Sequence, residues 1–341
     1  MNVLPTTLAL IVTRQCTASC DHCCFSCSPK EHDTLPAEVA YKVIDSASDI
    51  DFFKVVVFSG GECFLLEDEL DELISYATRK SFRTRCVTNG YWAKTYEKAI
   101  SRLRSLVDSG LSELNLSTGP FHQKYVPVKN IFYSSKAAID LGLMTVIAIE
   151  ETKDKPSQIE MFLEDEQIRS AINLSKLRIQ KGAWIISDGN SEIRHSESLD
   201  RFSENRISGC SAILQTIAIT PSADVYACCG LHIDKIPELK LGNLKCKTLS
   251  DILYSHPDDL LKMLIHTDGP ERAYQIAKRF NQNTTLPVGC VHPCETCRCL
   301  YSDKQALVAL SENSSSFKDR VIQSYMASLT KAAIGNVVLS S

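Results

Sequence analysis

Two hydrophobic periods alternate along the first half of the chain. Residues 7–13 and 54–59 are nearly unbroken apolar and β-branched runs, the pattern of strands buried on both faces of a parallel sheet. Residues 83–88, 113–117, 144–149 and 176–180 read as further strands. Between them, apolar residues recur at helical spacing. Thr34-Leu35-Pro36 opens one helix with Thr34 as its N-cap, and Val39, Val43, Ile44 and Ala47 line one face. Leu66, Leu70, Leu73, Ile74 and Ala77 form the next stripe, and Ile100, Leu103, Leu106 and Val107 another within 95–109. Helices over 128–141 and 156–164 complete the set. About six strand–helix units with short connections predict an α/β chain with a parallel sheet. Right-handed crossovers let such a sheet curl towards a barrel, with ligand sites at the C-terminal ends of its strands.

The pattern lapses over 184–208, which is polar and lacks a clear period. Beyond it, 216–220 and 225–228 flank Pro221-Ser222-Ala223-Asp224 and read as a hairpin. Residues 256–282 look helical, as does the tail from Ser302. The expected division is a barrel over 1–183, a connector over 184–209 and a smaller unit over 210–341.

With 44% hydrophobic and 23% charged residues, the composition is that of an ordinary globular protein. A net charge of -4 leaves no basic footprint, so no nucleic-acid or membrane partner is expected. The apolar run 8–12 is too short to cross a bilayer and lacks the basic residues that precede a signal sequence. The fifteen cysteines change the picture more. Inert core packing accounts for some of them. It does not account for their clustering within 16–27 and 210–299, which suggests thiolate metal ligation in a reducing compartment, the cytoplasm.

Cys16-x3-Cys20-x2-Cys23 lies in the loop after the first strand. Three close thiolates suit three irons of a cubane [4Fe–4S] cluster and leave the fourth iron open. Zinc is the rival metal. A structural zinc site wants four ligands, for which Cys24 or Cys27 would supply the last. Gly60-Gly61-Glu62 ends the second strand, where glycines let the backbone approach a ligand and Glu62 can pair with an ammonium group.

These two motifs, in this order, resemble the radical S-adenosylmethionine (SAM) superfamily over roughly residues 7–180. The resemblance implies a partial (β/α)6 TIM-like barrel with a SAM-chelating [4Fe–4S] cluster on Cys16, Cys20 and Cys23. It also implies that Gly60, Gly61 and Glu62 hold the SAM amine and that Ser117 bonds the ribose. The family often has an acid two positions after that serine; here the place is Gly119, so ribose binding is only partly assigned. His22, before the third cysteine, stands where an aromatic residue often faces the adenine; a loop histidine bonded to backbone is the alternative. Asn89 either lines the SAM site or makes the turn after the third strand. The implied chemistry is one-electron cleavage of SAM to a deoxyadenosyl radical that removes a hydrogen atom from an unactivated C–H bond.

A second set, Cys210, Cys228, Cys229, Cys290, Cys294, Cys297 and Cys299, lies outside the barrel. Cys294-x2-Cys297 is a metal clip. Cys210, Cys228, Cys294 and Cys297 together suit an auxiliary [4Fe–4S] cluster, with Cys290 and Cys299 as substitutes and four-cysteine zinc as the rival. The region resembles the SPASM and twitch extensions of peptide-modifying radical SAM enzymes, giving a small cysteine-rich C-terminal iron–sulfur domain. The 23–29 loop and Tyr226-Ala227-Cys228-Cys229 look most like radical SAM peptide epimerases. That resemblance makes Cys228 a cluster ligand and Cys229 the free donor that returns hydrogen to Cα. Adjacent strand residues point to opposite faces, which fits such a division; an inert, buried Cys229 is the alternative.

The expected activity is therefore conversion of L- to D-residues in a ribosomally made peptide. A thioether or carbon–carbon cyclase is the enzymatic alternative, and an iron–sulfur electron carrier or peptide-binding protein the non-enzymatic one. Expected partners are the precursor peptide and a one-electron donor such as flavodoxin or ferredoxin. The first strand starts near residue 7, so no leader-binding domain is expected ahead of it. Residues 121–127 are either part of the pocket or a surface loop. Cys63, Cys86 and Cys246 read as packing residues. His32, His195 and His266 have no evident partner.

Overall fold

Six parallel strands joined by helical crossovers build the first half: β1 (Thr7–Thr13), β2 (Val55–Gly60), β3 (Arg83–Thr88), β4 (Glu113–Thr118), β5 (Met144–Glu151) and β6 (Leu177–Ala183). The computed structural model describes residues 5–151, 158–183, 208–255, 259–290 and 292–338. The crossovers carry α1 (Ala37–Ser48), α2 (Asp68–Arg79), α3 (Tyr96–Asp108), α4 (Val128–Asp140) and, between β5 and β6, α5 (Ile159–Glu164) and α6 (Glu166–Asn173). The strands stand in the order β6-β5-β4-β3-β2-β1, so the barrel is unclosed. In β4, Leu114, Leu116 and Thr118 are buried, while Asn115 and Ser117 alternate with them and are half-buried. This period of two separates the helix-covered face from the barrel interior.

On its free side, β1 pairs in parallel with β7 (Thr216–Ile219), placing Thr7 beside Thr216 and Leu10 beside Ile219. β8 (Asp224–Tyr226) and β9 (Lys240–Asn243) then add antiparallel strands to the same nine-stranded sheet. With covered faces and neighbours on both edges, Leu8, Leu10, Ile11 and Val12 are almost wholly buried. The helices that follow are α7 (Leu249–Ser255), α8 (Leu260–Asp268), α9 (Pro270–Phe280), α10 (Pro293–Ser302), α11 (Lys304–Glu312) and α12 (Lys318–Val338).

Several expected boundaries move. Helix α1 starts at Ala37 rather than after a Thr34 cap, and Pro36 stands at its N-cap without a side-chain bond. Thr34 instead bridges to Thr13, their hydroxyls 3.1 Å apart. The expected 156–164 helix is described from Ile159, and a second helix follows because Asp165 caps it through Gln167 and Ile168 N–H. The helical stretch 256–282 divides at Gly269, whose φ of +89° ends α8; a Cβ there would stand 2.2 Å from the Ser208 carbonyl oxygen. Residues 184–207 of the expected connector, including Trp184 and His195, lie outside the described residues.

Candidate active site

The cysteine loop leaves β1 and returns to it. Gln15 bridges to Ser28, and the Cys16 N–H donates to the Ser28 carbonyl at 3.1 Å. Within this excursion, the Cys23 N–H donates to the Cys20 carbonyl at 3.0 Å, setting these two residues on one turn. Cys16 is buried, and Cys20 and Cys23 are half-buried. Burial pushes the Cys16 thiol up to about 11 and the Cys20 thiol to about 12. A hydrogen bond from Cys27 pulls Cys23 down to about 6, while Cys27 is pushed up. The Cys27 N–H also donates to Cys23 Sγ at 3.3 Å. Three thiols on one tight loop are a donor set that suits an iron–sulfur cluster, whose charge would draw off the remaining protons.

Gly60 and Gly61 press against that loop. A Cβ on Gly60, whose φ is +136°, would stand 2.3 Å from the Thr13 carbonyl oxygen, and one on Gly61 2.2 Å from that of Gln15. The Gly61 and Glu62 N–H groups donate to those same oxygens at 2.7 and 2.9 Å. In this structure, the close approach these glycines permit is to the cysteine loop itself. Glu62 is fully buried. Its Oε1 accepts from the Thr88 hydroxyl (2.8 Å) and Phe64 N–H (3.1 Å), and its Oε2 from Asn89 N–H (2.8 Å). Three of about four carboxylate acceptor positions are thus in use. Burial outweighs those bonds and pushes Glu62 up to about 7.

Asn89 makes the turn expected of it and also reaches the cysteine loop. Its Oδ1 accepts from Tyr91 N–H at 3.0 Å, making the turn. Its Nδ2 reaches Thr17 Oγ1 at 3.1 Å and Cys16 Sγ at 3.6 Å. Ser117 lies half-buried near the C-terminal end of β4.

His22 is buried, stacked on Phe121 with ring centroids 4.8 Å apart and edge-on to His122 at 4.9 Å. Burial, then the neighbouring His122, lowers it to about 4 and keeps the ring neutral. The 121–127 segment is a clasp on the cysteine loop. Tyr125 donates to the Ser19 carbonyl at 2.6 Å, and Lys124 pairs with Asp21 at 2.6 Å. Beneath it lies Glu150, which sequence reasoning missed. Its carboxylate accepts from Phe121 N–H (2.9 Å) and His122 N–H (3.1 Å) and pairs with His122 Nδ1 (3.0 Å). Burial pushes Glu150 up, but the bonds and charge of His122 outweigh it, and the net shift is down. A Cβ on Gly119 would stand 2.3 Å from Glu150 Cδ. The space that a side chain at 119 would take is therefore filled by an acid from β5. An acidic residue at the C-terminal end of a barrel strand was the available signal.

In the C-terminal region, Cys210, Cys228, Cys294 and Cys297 line one cavity, otherwise walled mainly by apolar side chains. Gly230 lies between two of them, its Cβ position 3.2 Å from Cys294 Sγ and 3.5 Å from Cys228 Sγ. Cys290 and Cys299, the expected substitutes, are hydrogen-bonded to each other and do not line that cavity. Strand β8 ends at Tyr226, so Cys228 and Cys229 lie in the loop beyond it and strand alternation does not divide them. The division comes from the loop, because Cys228 faces the cavity and Cys229 is absent from its lining. Burial raises the Cys229 thiol to about 11. Burial also raises Cys24, which feels the Cys23 and Cys229 sulfurs. Arg14 ties the two regions, donating to the Phe25 carbonyl and to Asp234, each at 3.0 Å.

The remaining side chains fall outside both groups. Cys63 and Cys86 pack in the core, but Cys246 is exposed and lies outside it. His32 is exposed. His266 is buried and pairs with the Ile213 carbonyl and Ser328, each at 3.1 Å.

Residues 10–125, which hold the cysteine loop, the Gly-Gly-Glu turn and the His22 clasp, match the radical SAM superfamily model. The chain carries a radical SAM domain. The family implies SAM and a [4Fe–4S] cluster, and the cysteine loop suits both. A Bacillus subtilis (strain 168) chain, YydG, provisionally named a peptide biosynthesis protein, is 28% identical over 154 residues, 44% of this chain and 48% of that one. The chain thus spans about half the length of the curated relative it matches. Two solved structures of anSMEcpe, with bound AdoMet and the Kp18Cys or Cp18Cys peptide, superpose with TM-scores of 0.54 and 0.53. Each is 13% identical and covers 95% of this chain and 99% of that one. At that identity the likeness is one of fold: the unclosed barrel of a radical SAM domain with a cysteine-rich region after it. Among the described residues, no helix is long and apolar enough to cross a membrane.

Proposed function

We propose that this chain modifies a ribosomally made peptide, converting L- to D-residues in the cytoplasm. The observation that carries this reading is the separation of two neighbouring thiols. Cys228 lines a cavity with Cys210, Cys294 and Cys297, and Cys229 stands outside it as a neutral thiol. The four lining cysteines suit an auxiliary [4Fe–4S] cluster, and a free S–H suits a hydrogen-atom donor. The relative named for peptide biosynthesis and the fold neighbour holding AdoMet and a peptide agree with a peptide substrate.

When bound, the first cluster and SAM supply a deoxyadenosyl radical, which takes a hydrogen atom from Cα. The chain's own residues do the rest. Cys16, Cys20 and Cys23 hold the cluster. Gly60, Gly61 and the last acceptor position of Glu62 receive the SAM amine, Ser117 meets the ribose, and His22 lies by the adenine. Asn89 holds the Cys16 sulfur in register. Cys229 gives its hydrogen to the opposite face of the Cα radical, breaking S–H as Cα–H forms. The thiyl then regains one electron and one proton. The electrons come from a one-electron donor such as flavodoxin or ferredoxin, and an auxiliary cluster held by Cys210, Cys228, Cys294 and Cys297 would supply an electron path to the thiyl.

The test is anaerobic turnover of Cys229→Ala with SAM, reductant and the peptide encoded by the short open reading frame beside the gene. Deoxyadenosine is expected at a rate within a few-fold of wild type, with D-product lost. D-product at the wild-type level from the variant would refute the donor role.

A further inference from the structure

The cavity that holds Cys210, Cys228, Cys294 and Cys297 has a fifth polar member, His232. Its side chain is only 6% exposed, and neither Nδ1 nor Nε2 has a hydrogen-bond partner among protein atoms. It stands at the N-cap of the 3-10 turn Ile233–Lys235, yet its ring makes no capping bond. Buried ring nitrogens are almost always satisfied, so a group missing both partners marks the place of something else. The neighbours across the cavity are sulfurs and aliphatic walls. Burial, with Arg298 and Lys235 nearby, keeps the imidazole neutral, so it carries one N–H.

Four thiolates fill the four iron positions of a cubane, which leaves no iron for His232. The sulfurs of the cluster and its ligands are then the acceptors within the cavity. Hydrogen bonds to such sulfurs favour the more negative, reduced state and set the potential. We infer that His232 is a positioning residue that donates a ring N–H hydrogen bond to a sulfur of the auxiliary cluster and raises its reduction potential. This rests on the four-cysteine cluster of the preceding reading. It gives that cluster the means to be tuned for electron exchange with the peptide-side thiol without a change of ligand.

The test uses the full chain with Cys16, Cys20 and Cys23 all changed to Ala, so that only the auxiliary site loads. It is reconstituted anaerobically with iron and sulfide, with its histidines ring-labelled with nitrogen-15. In the reduced, paramagnetic state, a weak nitrogen coupling and an exchangeable proton coupling to the cluster are expected. Introducing His232→Phe should abolish both and shift the midpoint negative. At the parent's midpoint, the oxidised-to-reduced ratio should rise on the order of tenfold, about 59 mV for one electron. Introducing His232→Gln, which keeps a donor, should restore part of the shift. No coupling in the parent, or an unchanged midpoint in His232→Phe with iron retained, overturns the hydrogen bond alone. A strong, directly bonded nitrogen coupling also overturns it, making His232 a ligand. A parent that takes up no iron, or zinc in its place, refutes the four-cysteine cluster itself and the inference with it.

Discussion

Glu62 combines complete burial with three hydrogen bonds, and the balance leaves its carboxyl titrating near 7. A carboxyl raised from 4.5 favours the folded chain most when neutral. That contribution is fully present below about 4.5 and is lost as pH rises through about 7. An incoming ammonium group reverses the balance, because it pairs only with the ionised form. SAM affinity of the cluster-loaded protein should therefore rise from pH 6 to pH 8, and Glu62→Gln should flatten that rise. At pH 8 the variant should bind SAM on the order of tenfold more weakly, the size of one charge-assisted bond. Equilibrium binding at the two pH values checks both; an equal slope in wild type and variant would assign the titration elsewhere. The grouping of Cys16, Cys20 and Cys23 was legible because it lies in local spacing. Glu150 was not, because its meaning depends on the side-chain space left by Gly119, just beyond the end of β4. Nor was His232, which joins its cysteines only through the folded cavity.

At the scale of elements, strand ends hold the site together, and glycines set how closely they approach. Gly119→Ala would place a methyl group on Glu150 Cδ and require an L-residue at a φ of +136°. Loss of about 2–4 kcal/mol of stability is expected, from backbone strain plus displacement of a buried, three-fold bonded carboxylate. Thermal or denaturant unfolding measures it; a loss below about 0.5 kcal/mol would show that the Gly119 turn and Glu150 adapt freely. The strands and helix faces of the barrel were readable because burial imposes periods of two and 3.6 along the chain. Ends were less so. Thr34 has a capping residue's chemistry, but its hydroxyl is engaged by Thr13 across the β1 edge, and Pro36 takes the cap position.

Across the whole molecule, the sheet runs from β6 to β9, and the second cysteine group hangs from the strands beyond β1. The sequence pattern shows a hairpin but not its place, because Leu8 and Ile217 meet only through a long-range parallel pairing. The Arg14 links to Phe25 and Asp234 add a side-chain tie between the two cysteine regions. The proposed pair of cubane clusters predicts about eight irons after anaerobic reconstitution. Removing Cys16, Cys20 and Cys23 should leave about four, and removing Cys294 and Cys297 should also leave about four, with deoxyadenosine formation lost only in the first. Iron and sulfide assays decide it; about four in the intact chain would leave a single cluster.

The proposed epimerisation rests on Cys229 standing outside the cavity lining, and the product's isotope content tests it. The wild-type chain is incubated without oxygen in heavy water with SAM, a reductant and the peptide of the adjacent short reading frame. Mass spectrometry and chiral amino-acid analysis of the product then read the outcome. One deuterium is expected at Cα of each D-residue, delivered by the exchanged Cys229 thiol, with no net oxidation. A product that has lost two hydrogens, with every residue still in the L form, would contradict it and identify a crosslinking enzyme.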